Sequence, residues 1–149
     1  MMKTTYLVNS TAKFIQLHTN QSYLESKIEA EEIFMHVLGI NKSKIYTNIS
    51  IKMTKDEHDQ ISCILNKRKS DIPLSYVLKK HSFYNHEFFV DENVLIPRPE
   101  TENIIDQIIT MGDKLFRDMK RCIFLDAGCG SGCVGITLAI ERPNWNIFL

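Results

Sequence analysis

Asp126, Gly128, Gly130 and Gly132 follow the apolar run Cys122-Ile123-Phe124-Leu125, and this spacing is where the 149-residue sequence can do chemistry. The run reads as a parallel strand buried on both faces, and residues 134–140 read as the helix after the loop. A strand, a glycine turn and a helix N-terminus together bring free backbone N–H groups and a positive dipole end to the strand's carboxyl edge, where α/β folds bind ligands. The glycines let a ligand approach the backbone closely. Gly130-Ser131-Gly132-Cys133-Val134-Gly135 also has the G-x-G-x-x-G form, so the loop alone leaves a nicotinamide-dependent dehydrogenase open beside a methyltransferase. Either cofactor asks for an acidic residue about 20 positions further on to hold ribose hydroxyls, which falls at or beyond Leu149.

Other residues with chemical capacity have plainer uses. Glu100 and Glu102 have the chemistry of general bases, but carboxylates in a first helical turn usually answer the helix dipole, and Thr101 beside them reads as a local cap. Cys129 and Cys133 are four apart with no histidine cluster near them, so no metal site is expected. His18, His36, His58, His81 and His86 are scattered. Tyr76, Phe83, Tyr84, Phe88 and Phe89 read as a packing face rather than as a site.

The elements that must position the loop are legible around it. Ala30, Ile33, Phe34, Val37 and Leu38 recur at helical spacing, with Ser26 and Glu29 in the form of a capping box and Gly39 at the exit. Thr54 and Glu57 mark a second capped helix running to about Lys69, and a weaker helix surrounds Phe14, Ile15 and Leu17. These segments predict a helical bundle over residues 1–70. Near Pro73 helix is disfavoured and β-branched and aromatic residues follow. Residues 71–99 then read as a connector, with a hairpin turning at Asn85-His86 and a stiff Pro97-Arg98-Pro99 loop. From residue 100 a helix with Ile104, Ile105, Ile108 and Ile109 on its apolar face leads to the strand, the glycine loop, a helix and a second strand from Trp145.

Composition sets outer bounds. Lys plus Arg and Asp plus Glu are balanced at 18 each, which argues for neither nucleic acid nor a membrane surface as the main partner. No stretch approaches 18 consecutive apolar residues. The four cysteines lack the spacing of a secreted framework, and no signal-peptide core is present, so a cytoplasmic protein is expected.

Leu95-Ile96-Pro97-Arg98-Pro99-Glu100-Thr101-Glu102 resembles the signature segment of the peptide chain release factor glutamine N5-methyltransferases. Pro73-Leu74-Ser75-Tyr76-Val77, Phe83 and His36-Val37-Leu38-Gly39 are similar to the same family, whereas Asp71, Lys79 and Lys80 stand where many members have glycines. The resemblance covers roughly residues 20 to 149, and within it the Asp126 loop is similar to motif I of class I methyltransferases. It implies a helical N-terminal domain that docks a release factor, a hairpin connector, and the start of a class I, Rossmann-like domain that binds S-adenosylmethionine. Gly128, Cys129, Gly130, Ser131 and Gly132 then match the cofactor loop, and Arg98, Pro99, Glu100, Thr101 and Glu102 match a loop at the active-site mouth.

The implied reaction moves a methyl group to the side-chain nitrogen of the glutamine in a release factor's Gly-Gly-Gln motif, in an enzyme expected to act as a monomer. The family orients that nitrogen with an Asn-Pro-Pro-Tyr run, which does not occur in these 149 residues. No catalytic residue is carried over, and the expectation is a truncated, inactive N-terminal portion. The alternatives are a non-catalytic release-factor-binding module, a ribosomal-protein glutamine methyltransferase and the dehydrogenase.

Overall fold

A computed structural model describes residues 3–47, 52–117 and 122–149. The chain divides into two units, Met1–Leu78 and Lys79–Leu149. The first is helical: α1 (Thr4–His18), α2 (Tyr23–Leu38), α3 (Lys42–Tyr46), α4 (Lys55–Lys69) and α5 (Leu74–Leu78).

Local chemistry starts and stops these helices. At α4, Thr54 Oγ1 accepts from the Glu57 N–H at 3.2 Å and the Thr54 N–H donates to Glu57 Oε2 at 2.6 Å, the expected reciprocal cap. The α2 box is one turn earlier than expected, on Ser22 and Glu25 rather than Ser26 and Glu29. Both pairs fit the pattern, but Ser26 and Glu29 are buried, and Glu29 forms an ion pair with Arg68 of α4. Arg68 also donates through Nη1 to the Ile72 carbonyl at 2.6 Å, so a buried charge pair anchors the chain leaving α4. Gly39 ends α2 in the left-handed region, as expected. Residues after Pro73 form α5 instead of an extended segment. The Tyr76 and Val77 N–H groups donate to the Pro73 carbonyl, and proline's missing donor costs nothing at a helix start. The core of this unit joins Val8, Ala12 and Ile15 of α1 to Ala30, Ile33 and Phe34 of α2, with Ile61 and Ile64 of α4 and Leu74 and Leu78 of α5.

The second unit opens with β1 (His81–Phe83) and β2 (His86–Phe88), antiparallel with Phe83 opposite His86. The turn is Tyr84-Asn85, one residue earlier than expected, with φ of 48° and 63°. A left-handed tyrosine is strained, and α6 (Glu102–Leu115) holds this one at two points. Its N–H donates to Glu102 Oε1 at 2.9 Å, and its hydroxyl donates to Asp106 Oδ1 at 2.6 Å. A 3-10 turn over Pro99–Thr101 leads into α6, where Ile105 is fully buried while Ile104 faces out.

β3 (Cys122–Leu125), α7 (Cys133–Glu141) and β4 (Trp145–Phe148) follow, with β3 and β4 parallel and Leu125 level with Phe148. The strand was expected to be covered on both faces. Among the described residues only one face is covered: Cys122 is buried, but Ile123 and Leu125 are 67% and 66% exposed. Trp145 enters the core against α6 at Gly112, where an added Cβ would lie 2.2 Å from the indole ring. The glycine weakens the helix locally and makes room for the ring. Among the described residues no helix is long and apolar enough to cross a membrane.

Gly112→Ala should therefore destabilise the second unit by about 2 kcal/mol through overpacking. Trp145 is the only tryptophan, so its fluorescence during urea unfolding reads this unit directly; an unchanged midpoint would contradict the packing described.

Candidate cofactor-binding site

Asp126 ends β3, and the loop from it to Gly132 turns into the N-terminus of α7. Gly128, Gly130 and Gly132 all have positive φ, at 79°, 56° and 76°. A Cβ on Gly128 would meet nothing within 4 Å, so its backbone conformation rather than crowding selects glycine there. On Gly130 the nearest neighbour would be Val94 Cγ2 at 3.7 Å. The Gly132 N–H donates to the Cys129 carbonyl at 2.8 Å, which tightens the turn.

No side chain caps α7 at its first residue. The carboxylate of Asp126 does related work one turn further in, its Oδ2 accepting from the Gly135 N–H at 2.9 Å. Gly135 packs so closely that a Cβ would lie 3.2 Å from both Asp126 Oδ2 and Ile147 Cγ2. Ser131 Oγ is buried and has no hydrogen-bond partner among the described residues; its neighbour, the Cys133 thiol, is a weak partner at best. Burial pushes the Cys133 thiol above its ordinary value, and the Cys122 thiol likewise, so both are held as thiols. Among the described residues no group of three His, Cys, Asp or Glu side chains could hold a metal ion.

A cavity of about 510 Å³ opens beside this loop, lined by Gly130 and Ser131 on one side and by Glu87, Phe89, Asp91 and Val94 at the hairpin's end on the other. Positive-φ glycines, with open space over Gly128 and only Val94 near Gly130, a helix N-terminus and a buried serine hydroxyl suit a small ligand carrying an anionic group, such as the amino-acid end of a nucleoside cofactor.

Of the residues read from the sequence, Gly130 and Ser131 line this cavity, and Gly128, Cys129 and Gly132 shape the loop behind them. Arg98, Pro99 and Glu100 are exposed, and Thr101 and Glu102 are half-buried in the turn before α6. None of the five lines the glycine-loop cavity. Glu102 instead lines a second cavity at the hairpin turn and supports Tyr84. Thr101 makes no side-chain cap. Burial pushes the His81 imidazole below its ordinary value, opposed by the Pro97 carbonyl and the charge of Glu102. Phe89, expected to pack, lines the cavity, and so do Asp91 and Val94, to which the sequence assigned no site role. Three apolar residues in a row, Phe88-Phe89-Val90, carry no alternation that would single out Phe89, which is 64% exposed between two buried neighbours.

A family model described as the PrmC N-terminal domain matches residues 12–78. The chain is 34% identical to a release factor glutamine methyltransferase of Leptospira interrogans, covering 83% of this chain and 42% of that protein. It is 35% identical to the Bacillus cereus protein of that name over 79% of this chain and 41% of the relative. With the protein of that name from Thermodesulfovibrio yellowstonii it shares 36% over 80% and 42%. The chain thus spans about two fifths of the length of these curated relatives.

Asp126→Ala should leave the Gly135 amide without its acceptor and cost the second unit about 1 kcal/mol. Hydrogen exchange at Gly135 should accelerate, while Ile136, which donates to the Gly132 carbonyl at 2.9 Å, keeps its protection relative to global unfolding. Unaltered exchange at Gly135 would contradict this role for the carboxylate.

Proposed function

We propose that this chain belongs to the release factor glutamine methyltransferases, which it matches over their N-terminal portion, and that it is the part that docks the protein substrate and receives the methyl donor. The donor is S-adenosylmethionine, and the acceptor is the side-chain nitrogen of the glutamine in a release factor's Gly-Gly-Gln motif. The observation that carries this reading is the left-handed glycine loop closed by Asp126 on Gly135, with a cavity opening at Gly130 and Ser131.

In this reading the second unit begins a class I, Rossmann-like domain, supported by the parallel pairing of β3 with β4 across α7. Gly128, Cys129, Gly130, Ser131 and Gly132 hold the amino-acid end of the donor, with backbone N–H groups at the start of α7 facing its carboxylate. The donor's sulfonium makes its methyl group electrophilic. An amide nitrogen is a poor nucleophile because its lone pair is delocalised, so the enzyme has to orient it and accept its N–H protons in hydrogen bonds. Arg98 to Glu102 belong to the site's mouth, where Glu102 supports the hairpin. No residue of this chain is assigned the orienting role, which the family gives to an Asn-Pro-Pro-Tyr run.

The helical unit is the docking part. It carries a groove of about 570 Å³ with Ile28 and Leu74 in its lining and Glu25, Glu32 and Asp71 among its acidic residues, a surface suited to a protein partner. A purely binding role for this chain, without turnover, rests on the same groove.

The test pairs two measurements. Immobilised chain should retain a release factor from a purified mixture, and the 149-residue chain with labelled S-adenosylmethionine should transfer no methyl group to it above a blank. Failure to retain the factor would overturn the docking role, and turnover would overturn the assignment of the orienting groups to sequence outside this chain.

A further inference from the structure

We infer that Phe89 and Asp91 form a cation-recognising wall of the glycine-loop cavity, in which Asp91 meets the donor's ammonium and Phe89 lets the protein tell the positively charged sulfonium from the neutral thioether product. The inference rests on the methyl-donor reading above and goes beyond it by assigning a source of selectivity to the hairpin.

An isolated exposed phenylalanine needs no explanation. Phe89 differs because of where its exposure lies. Just after β2, Phe88 and Val90 are buried, with Phe88 showing only its edge to the cavity, whereas Phe89 lines it with most of its side chain exposed, beside Gly130 and Ser131. The segment carrying it is held in place. The Val94 N–H donates to the Asp91 carbonyl at 3.2 Å, and Val94 itself sits over Gly130. Asp91 Oδ1 accepts from the Asn93 N–H at 3.0 Å, which orients the carboxylate and leaves it further acceptor capacity.

The charge of the wall is one-sided. Asp91 and Glu87 line the cavity, and among the described residues no lysine or arginine does; Lys80 pairs with Glu87 at 2.8 Å and so occupies that carboxylate, which leaves Asp91 as the negative charge without a cationic partner among the described residues. An aromatic face beside a carboxylate suits a small organic cation, since the ring's quadrupole attracts positive charge and is sensitive to whether the charge is present. The buried Ser131 hydroxyl, with only the weak Cys133 thiol beside it, and the α7 N-terminus suit an anionic group. A zwitterionic amino-acid end next to a sulfonium matches both sides. After methyl transfer the sulfonium becomes a thioether, so the ring's attraction is lost while contacts to the ammonium and carboxylate persist. Such a wall favours replacing spent product with fresh donor.

The test is equilibrium dialysis of the 149-residue chain, unaltered and as Phe89→Leu and Asp91→Asn, against S-adenosylmethionine and S-adenosylhomocysteine. Phe89→Leu keeps an apolar side chain and removes the quadrupole. It should weaken S-adenosylmethionine about fivefold and move S-adenosylhomocysteine by less than about twofold. Asp91→Asn should weaken both, because both carry the ammonium. Equal losses for both ligands with Phe89→Leu would make the ring a plain apolar wall and overturn the proposal, as would no loss at all. If the unaltered chain binds neither ligand, the methyl-donor reading itself fails and takes this inference with it. Urea midpoints of the variants matching the unaltered chain would show that the fold is not what changed.

Discussion

Asp126 ties together three elements of the second unit. Its N–H donates to the Phe148 carbonyl of β4 at 2.8 Å, while its carboxylate reaches over the glycine loop to the Gly135 N–H of α7. One residue therefore sets the end of β3, its pairing with β4 and the start of α7. The loop between those fixed ends reverses within six residues, which forces left-handed conformations at Gly128, Gly130 and Gly132. The cavity at Gly130 and Ser131 opens beside the loop so closed. Gly135 completes it by keeping the helix close to β4, a role that dinucleotide-binding loops ask of the same position. Loop geometry therefore serves either cofactor, and the proposal of a methyl donor rests on the upstream signature and on the likeness to release factor glutamine methyltransferases.

The hairpin and the signature segment form the second support. Glu102 accepts the Tyr84 N–H, Asp106 accepts its hydroxyl, and that bond to Asp106 holds the phenol above its ordinary pKa. These contacts brace a turn whose first residue is a left-handed tyrosine. The far end of the same hairpin delivers Phe89, Asp91 and Val94 to the glycine loop. In this structure, then, Glu102 does positional work, and the residues that meet the cavity are ones the signature does not contain.

What could be read from the sequence followed short-range rules. The Thr54 cap, the Gly39 exit, the helices at residues 30–38 and 55–69 and the strand–loop–helix order around Asp126 were all legible, since spacing and residue type decide them locally. Choices between equal local patterns were not. Ser22 with Glu25 and Ser26 with Glu29 satisfy the same rule, and only the long-range pairing of Glu29 with Arg68 decides between them. The turn at Tyr84-Asn85 depends on acceptors about twenty residues away in α6. Burial on both faces was inferred for β3 from its apolar run, yet Ile123 and Leu125 have no cover among the described residues. Phe89 was read as packing because aromatics usually are; its outward face emerges only from its exposure in the fold, between the buried Phe88 and Val90.

The central claim is that the Asp126-closed glycine loop receives the amino-acid end of a methyl donor. The most direct test is a titration of isotope-labelled chain with S-adenosylhomocysteine, and in parallel with NADH, following backbone amide resonances. The account predicts saturable shifts centred on residues 128–132 and 135 with S-adenosylhomocysteine and none of comparable size with NADH. Shifts that favour NADH, or shifts that leave the glycine loop untouched, would contradict it.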